Sequence, residues 1–366
     1  MNLLTAQAPG GVPRSGKGLA LGIWRFMLVA LALVLSLGLT QVAVAQADPD
    51  REMTTAAPGI TAEQWRQVRS GETGPNYRDS RFDSNYSLIN SSGETWREIR
   101  NRWVSPFGLI AVFGMAGLIA LFYFIVGRKE LEAPRTGRLL LRWTLMKRAL
   151  HWTVATLFIV LALTGMTLLF GKFVFRPLFG DGIWAWMIAA TKVLHNYLGP
   201  IFGILLVILL VSLIKENIPK KHDWVWFKKG GGMIGKKHVD AGFANGGEKA
   251  WYWMLATVGL LVIASGFVLD FPNFNQGRDT MQWANIIHAV GALGLTAVSF
   301  GHIYIGTLGT EGALEGMTTG YVDETWAKEH HNLWYEEVKD QTLSEEEVAA
   351  RKSSGSSGEP SAPRPS

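Results

Sequence analysis

No cysteine occurs among the 366 residues. That excludes disulfides, an iron–sulfur cluster held by this chain's own thiolates, a c-type haem attachment motif and a catalytic thiol. Charge is also scarce, at 18% Asp, Glu, Lys and Arg against roughly 25% in an average soluble domain. The charge that exists is confined to loops and ends, and beyond the N-terminal apolar run five long stretches carry none. An ordinary soluble enzyme is therefore excluded for the bulk of the chain. Within those stretches there is no Asp or Glu, which also argues against a carboxylate-lined ion path. If the chain does redox chemistry, His is the residue left to hold a cofactor.

What is present is apolar: 48% hydrophobic residues, 41 Gly and 15 Trp. The five charge-free stretches lie between Arg102 and Arg128, Arg148 and Lys172, Lys192 and Lys215, Lys249 and Asp270, and Asp279 and Glu311. Each is near or above the ~20 residues a helix needs to cross the hydrocarbon core, and none alternates as a membrane barrel strand does. The expected fold is an all-α integral membrane helical bundle with five spans, preceded by a signal sequence. Arg14, Lys17 and Arg25, the apolar run from Phe26 to Leu39 and the small residues from Ala43 form that signal over residues 1–47. Residues 48–105 read as a polar extracytoplasmic arm, 106–127 as an extra span, 128–148 as a basic loop, 149–310 as a four-helix bundle, and 311–366 as a tail that is disordered beyond Gln341. Lys and Arg crowd the loops after the first and third spans and are sparse in the other two. The positive-inside rule then puts the mature N-terminus outside and the C-terminus in the cytoplasm.

Four of the eight His lie in or at the edge of spans: His151, His195, His288 and His302. The other four, His222, His238, His330 and His331, fall in polar loops or the tail and read as solvated. The topology sorts the span histidines by depth. His151 and His302 sit toward the cytoplasm, while His195 and His288 sit toward the outside. His288 and His302 share one helix, ~21 Å apart along its axis and on roughly one face. Two pairs, each joining two helices at one depth, is the arrangement of bis-His ligation of two stacked b-type haems. Such ligation leaves no open position on iron and favours electron transfer over oxygen binding. Gly165, Gly199, Gly203, Gly291, Gly294 and Gly301 lie in these spans, where they allow close porphyrin approach or ordinary helix packing.

The segments Lys147-Arg148-Ala149-Leu150-His151-Trp152, Leu194-His195, Ile287-His288-Ala289 and Gly301-His302-Ile303-Tyr304 resemble the haem-ligand motifs of the γ subunit of respiratory formate dehydrogenase, a membrane di-haem cytochrome b. The segment from Gly93 to Asn101 resembles the version with an N-terminal extension and an extra span. The resemblance runs over roughly residues 76–334. It implies a bacterial inner-membrane subunit that takes electrons from an iron–sulfur β subunit with its own membrane anchor and passes them through two haems to quinone. A molybdenum- or tungsten-containing α subunit would oxidise formate, so no catalytic residue belongs to this chain. The resemblance also implies a quinone site beside the cytoplasmic haem, with Asn245 and Gly247 matching the family's Asn-x-Gly stretch and His302 offering its free ring nitrogen. The residues alone favour a flexible loop here instead, in a region made glycine-rich by Gly230 to Gly232, Gly235 and Gly242. A cytochrome b subunit of a hydrogenase or other molybdenum oxidoreductase would carry similar ligand pairs. A haem-free anchor or transporter would use the same histidines as hydrogen-bonders between helices.

Overall fold

The computed structural model describes residues 66, 70, 91–232, 239–274 and 276–353. The expected signal sequence, nearly all of the expected polar arm up to Asn90, His238 and the residues after Ser353 lie outside that range.

Charge-free apolar stretches fold as helices because in lipid only a helix satisfies its own backbone polar groups. Helix α1 (Ser91–Glu98) runs through one π-helical turn, Ile99–Val104, into α2 (Ser105–Val126). The sequence assigns residues up to 105 to an arm, yet the helix begins at Ser91. Strand β1 (Arg138–Leu141) follows, then α3 (Leu145–Leu213) and α4 (Lys221–Lys228). Helix α5 (Gly246–Met254) continues through a π-helical turn, Leu255–Gly259, into α6 (Leu260–Asp270). Helix α7 (Arg278–Tyr304) ends in a third π-helical turn, Ile305–Gly309. The rest comprises α8 (Ala313–Thr319), β2 (Tyr321–Asp323), α9 (Glu324–His330), α10 (Asn332–Val338), β3 (Leu343–Ser344) and α11 (Glu345–Ser353).

Four helical runs among the described residues are long and apolar enough to cross a membrane. One of them, α3, has 69 residues. At 1.5 Å per residue it would extend ~100 Å, about three bilayer cores. It does not run straight. Gly180 has φ 76° and ψ 172°, a conformation essentially reserved for glycine, and the chain doubles back there. Phe158 meets Phe202 at 6.3 Å between ring centroids, Thr164 reaches His195 at 2.8 Å, and at the open end Lys147 pairs with Glu216 at 2.8 Å. The bundle thus contains five apolar helical segments. The two arms of the hairpin continue past Lys172 and before Lys192, where the sequence reading ends its spans.

One end of the bundle gathers the basic loops. There β1 lies between β2 and β3 in a three-stranded antiparallel sheet, with Leu140 opposite Val322 and Arg138 opposite Ser344. This sheet is absent from the all-α expectation. It forms because Leu140 and Leu141 can be buried only against the tail: Leu140, Phe243, Val322, Trp326, Trp334 and Val338 share one core. Leu141, Tyr321 and Val348 share a second. The tail beyond Gln341 is accordingly ordered as far as Ser353, in contrast to the expected disorder. Gly320 adopts φ +92° where a Cβ would lie 2.8 Å from the Trp143 carbonyl, so the turn into β2 requires glycine.

Candidate functional site

Each of the four span histidines is placed by a different helical segment or depth. His151 lies in the first turns of α3, two turns inside its Thr144 N-cap. His195 lies on the returning arm of α3, and His288 and His302 lie on α7. The structure brings them together in the pairs that their depths require. The His151 and His302 rings stand 6.2 Å apart between centroids, and those of His195 and His288 stand 6.1 Å apart.

Those separations can be compared with a bound iron. An imidazole nitrogen sits ~2 Å from a first-row metal ion. In a five-membered ring with bonds of ~1.33 Å, that nitrogen is ~1.1 Å from the centroid. Two rings ligating one ion from opposite sides are then roughly 6.2 Å apart. Both pairs fit that spacing. No group of three or more His, Cys, Asp or Glu able to hold a bare metal ion occurs among the described residues. A metal between two imidazoles therefore needs further donors, and the four nitrogens of a porphyrin would supply them.

Hydrogen bonds orient the rings of one pair. His195 Nδ1 lies 2.8 Å from Thr164 Oγ1, and His288 Nδ1 lies 2.9 Å from the Val262 carbonyl. With Nδ1 engaged in both, each Nε2 is left for a ligand, the usual outer-shell arrangement of metal-bound His. Adjacent glycines make room: a Cβ at Gly165 would lie 3.3 Å from His195 Cε1, and one at Gly266 would lie 3.1 Å from His288 Cε1. In the other pair, His151 Nδ1 is buried with no hydrogen-bond partner among the described residues. His302 is stacked on Trp251 at 5.1 Å, with the planes 15° apart. Of the remaining glycines singled out from sequence, Gly203 and Gly291 serve helix packing, against Ile263 and Val262. Open space lies beside Gly199, Gly294 and Gly301.

Asn245 and Gly247 begin α5 rather than sit in a loop. Asn245 Oδ1 accepts from the Glu248 N–H at 3.0 Å, and the Glu248 carboxylate accepts from the Asn245 N–H at 2.9 Å. This capping box employs the Asn245 oxygen and leaves its NH2 group free of it. Gly247 packs on Trp226, where a Cβ would come within 2.8 Å of the ring. The helix start is fixed by buried Lys249, whose Nζ donates to both carboxylate oxygens of buried Asp223 at 3.0 and 2.8 Å. Trp251, on the same helix, ties this start to His302.

Sequence reading misses several contributors. Thr164, the Val262 carbonyl and Gly266 carry no span-level signal beyond the hydroxyl–glycine dipeptides Thr164-Gly165 and Ser265-Gly266. Trp251, stacked on the His302 ring, is a further contributor that the sequence does not mark. His331, read as solvated, is 1% exposed. Its Nδ1 donates to the Gly242 carbonyl at 2.8 Å, and its Nε2 accepts from Arg142 at 3.2 Å. Burial first, and then the Arg142 charge, hold it well below the ordinary histidine pKa. Arg142 itself also donates to the Phe243 carbonyl at 2.8 Å and lies 4.8–5.2 Å from the rings of Phe243, Trp326 and Trp334. It joins β1, the start of α5 and the tail at one point.

A bundle of apolar helices with two histidine pairs at matched depths is the arrangement that an integral membrane cytochrome of the b type would present. Residues 142–320 match the family model described as prokaryotic cytochrome b561. Curated relatives narrow the resemblance further. The chain is 27% identical over 209 residues to the cytochrome b556(Fdn) subunit of nitrate-inducible formate dehydrogenase from Escherichia coli (strain K12), covering 56% of this chain and 93% of that one. It is 28% identical over 210 residues to the cytochrome b556(fdo) subunit of formate dehydrogenase from the same organism, covering 56% and 95%. It is 27% identical over 202 residues to the formate dehydrogenase cytochrome b556 subunit of Haemophilus influenzae, covering 52% and 79%.

Proposed function

We propose that the chain is the cytochrome b subunit of a quinone-reducing formate dehydrogenase complex, holding two b-type haems. One lies between His151 and His302, the other between His195 and His288. The observation that carries the proposal is the pair of ring separations, 6.2 and 6.1 Å, in a chain similar to proteins named as cytochrome b556 subunits of formate dehydrogenase. When bound, the haems supply reversible one-electron transfer with no open coordination position on iron.

The basic end of the bundle is the cytoplasmic one by the positive-inside rule, so five crossings put Ser91 and the Gly180 turn on the periplasmic side of a bacterial inner membrane. The His195–His288 pair is then the outer one, facing an iron–sulfur β subunit with its own membrane anchor. Formate oxidation belongs to a molybdenum- or tungsten-containing α subunit, with no formate-oxidising site in this chain. Quinone binds at the inner pair. There the Asn245 NH2 group and the Gly247 N–H, at the start of α5, face the carbonyl chemistry of a quinone as donors. A free ring nitrogen of His302 is the third contact.

The test is a reduced-minus-oxidised spectrum with haem quantitation on the purified chain and on four variants. Two b haems are expected in the wild type. His195→Ala and His288→Ala should remove one spectral component, and His151→Ala and His302→Ala the other. A colourless, folded protein from haem-sufficient cells would instead support a haem-free anchor, and both haems retained in His288→Ala would refute that ligand assignment.

A further inference from the structure

The two histidine pairs differ in one respect that bears on the direction of electron flow. At the outer pair, both Nδ1 atoms lie within hydrogen-bond distance of an oxygen that can accept from them. Val262 offers a carbonyl. Thr164 offers a hydroxyl whose single proton is already directed at the Val160 and Leu161 carbonyls, at 2.8 and 3.1 Å, so toward His195 it presents a lone pair. Both outer rings therefore carry their proton on Nδ1 and turn a lone pair on Nε2 toward the gap between them. At the inner pair, His151 Nδ1 has no partner among the described residues. His302 has Trp251 against its face and, quinone apart, no hydrogen-bond acceptor among the described residues.

Donation from Nδ1–H pushes electron density onto the ligating nitrogen and raises its basicity. A more basic ligand stabilises ferric over ferrous iron, which lowers the reduction potential. Resting on the haem assignment above, we propose that Thr164 and the Val262 carbonyl set the outer haem at a lower potential than the inner one. The direction of transfer, from the periplasmic side toward quinone, is then built into the hydrogen bonds of the ligands. Gly165 and Gly266 act in support, because each lets its ring lie close enough to the neighbouring helix to reach the acceptor. Thr164 is a positioning and tuning residue and does not touch iron.

The experiment is a redox titration of the purified two-haem protein, with the inner haem as internal reference. In the wild type, the component that disappears in His288→Ala should be the lower of the two potentials. Finding it the higher one overturns the proposal without any Thr164 variant. Thr164→Val keeps the shape and removes the acceptor, and should shift only the outer potential upward. Thr164→Ser keeps the hydroxyl and should titrate as the wild type. Unmoved potentials in a two-haem Thr164→Val protein, or a Thr164→Ser protein that shifts as far as Thr164→Val, would refute the tuning while leaving the ligands in place. A His288→Ala protein with both haems removes the ligand assignment and the tuning together.

Discussion

Asn245 caps α5 through its side-chain oxygen, and its NH2 group is the donor proposed for quinone. Alanine removes both and would lower stability by about 1 kcal/mol through the lost cap, which confuses any reading of rate. Asn245→Asp separates them, because Asp caps about as well as Asn and cannot donate when ionised. Thermal stability should stay near the wild type while quinone reduction slows, with both haems present. Unchanged quinone kinetics in Asn245→Asp would remove the residue from the site. The contrast with the histidines is instructive. His151, His195, His288 and His302 are legible in the sequence because flanking Lys and Arg mark membrane depth. Thr164 is not, because a single mid-span Thr commonly bonds its own helix backbone, as this one does as well.

At the scale of elements, the α3 hairpin depends on one backbone conformation. Gly180, with φ 76° and ψ 172°, sits where a side chain strains the backbone by about 1–3 kcal/mol. Gly180→Ala should therefore lower the midpoint of thermal unfolding in detergent, followed by loss of the haem spectrum on heating. An unchanged midpoint would mean that the turn relaxes without loss. The sequence reading finds both arms but stops them at Lys172 and Lys192, since a charge marks the edge of the hydrocarbon rather than the end of a helix. The capping box at Asn245 is equally hidden. Its Asn and Glu are visible, but the glycines around them argue for a loop until Trp226 is seen packed on Gly246 and Gly247.

Across the whole molecule, the basic end is held by contacts far apart in sequence, and these were the least legible. His331 sits in a polar stretch, and its burial rests on Arg142, the Gly242 carbonyl and the Trp326 ring. A neutral His331 has a consequence for pH. Its folded pKa lies below the unfolded value of 6.5, so the unfolded chain binds the proton more readily. The stability contributed by the neutral ring is full above about pH 6.5 and is lost as pH falls below it. The groups facing the ring are Arg142 at 3.2 Å, Glu248 at 4.0 Å and the neighbouring His330. Only Glu248 among them would favour a charged ring, and Arg142 already engages it. The wild type should lose thermal stability through that pH range, and His331→Gln should lose less of it. Equal losses in the two proteins would assign the acid sensitivity to other groups.

The central position of β1 has a consequence for biosynthesis. This strand emerges from the ribosome before four of the five apolar segments, yet both of its neighbours, β2 and β3, follow the last of them. Leu140 and Leu141 therefore wait without partners while the hairpin, the capped helix and the long histidine helix are inserted. The sheet can close only afterwards, and Arg142 then finds His331 and the tail indoles. Closure of the basic end thus comes last: a chain interrupted before residue 321 leaves Leu140 and Leu141 without the strand they pair with.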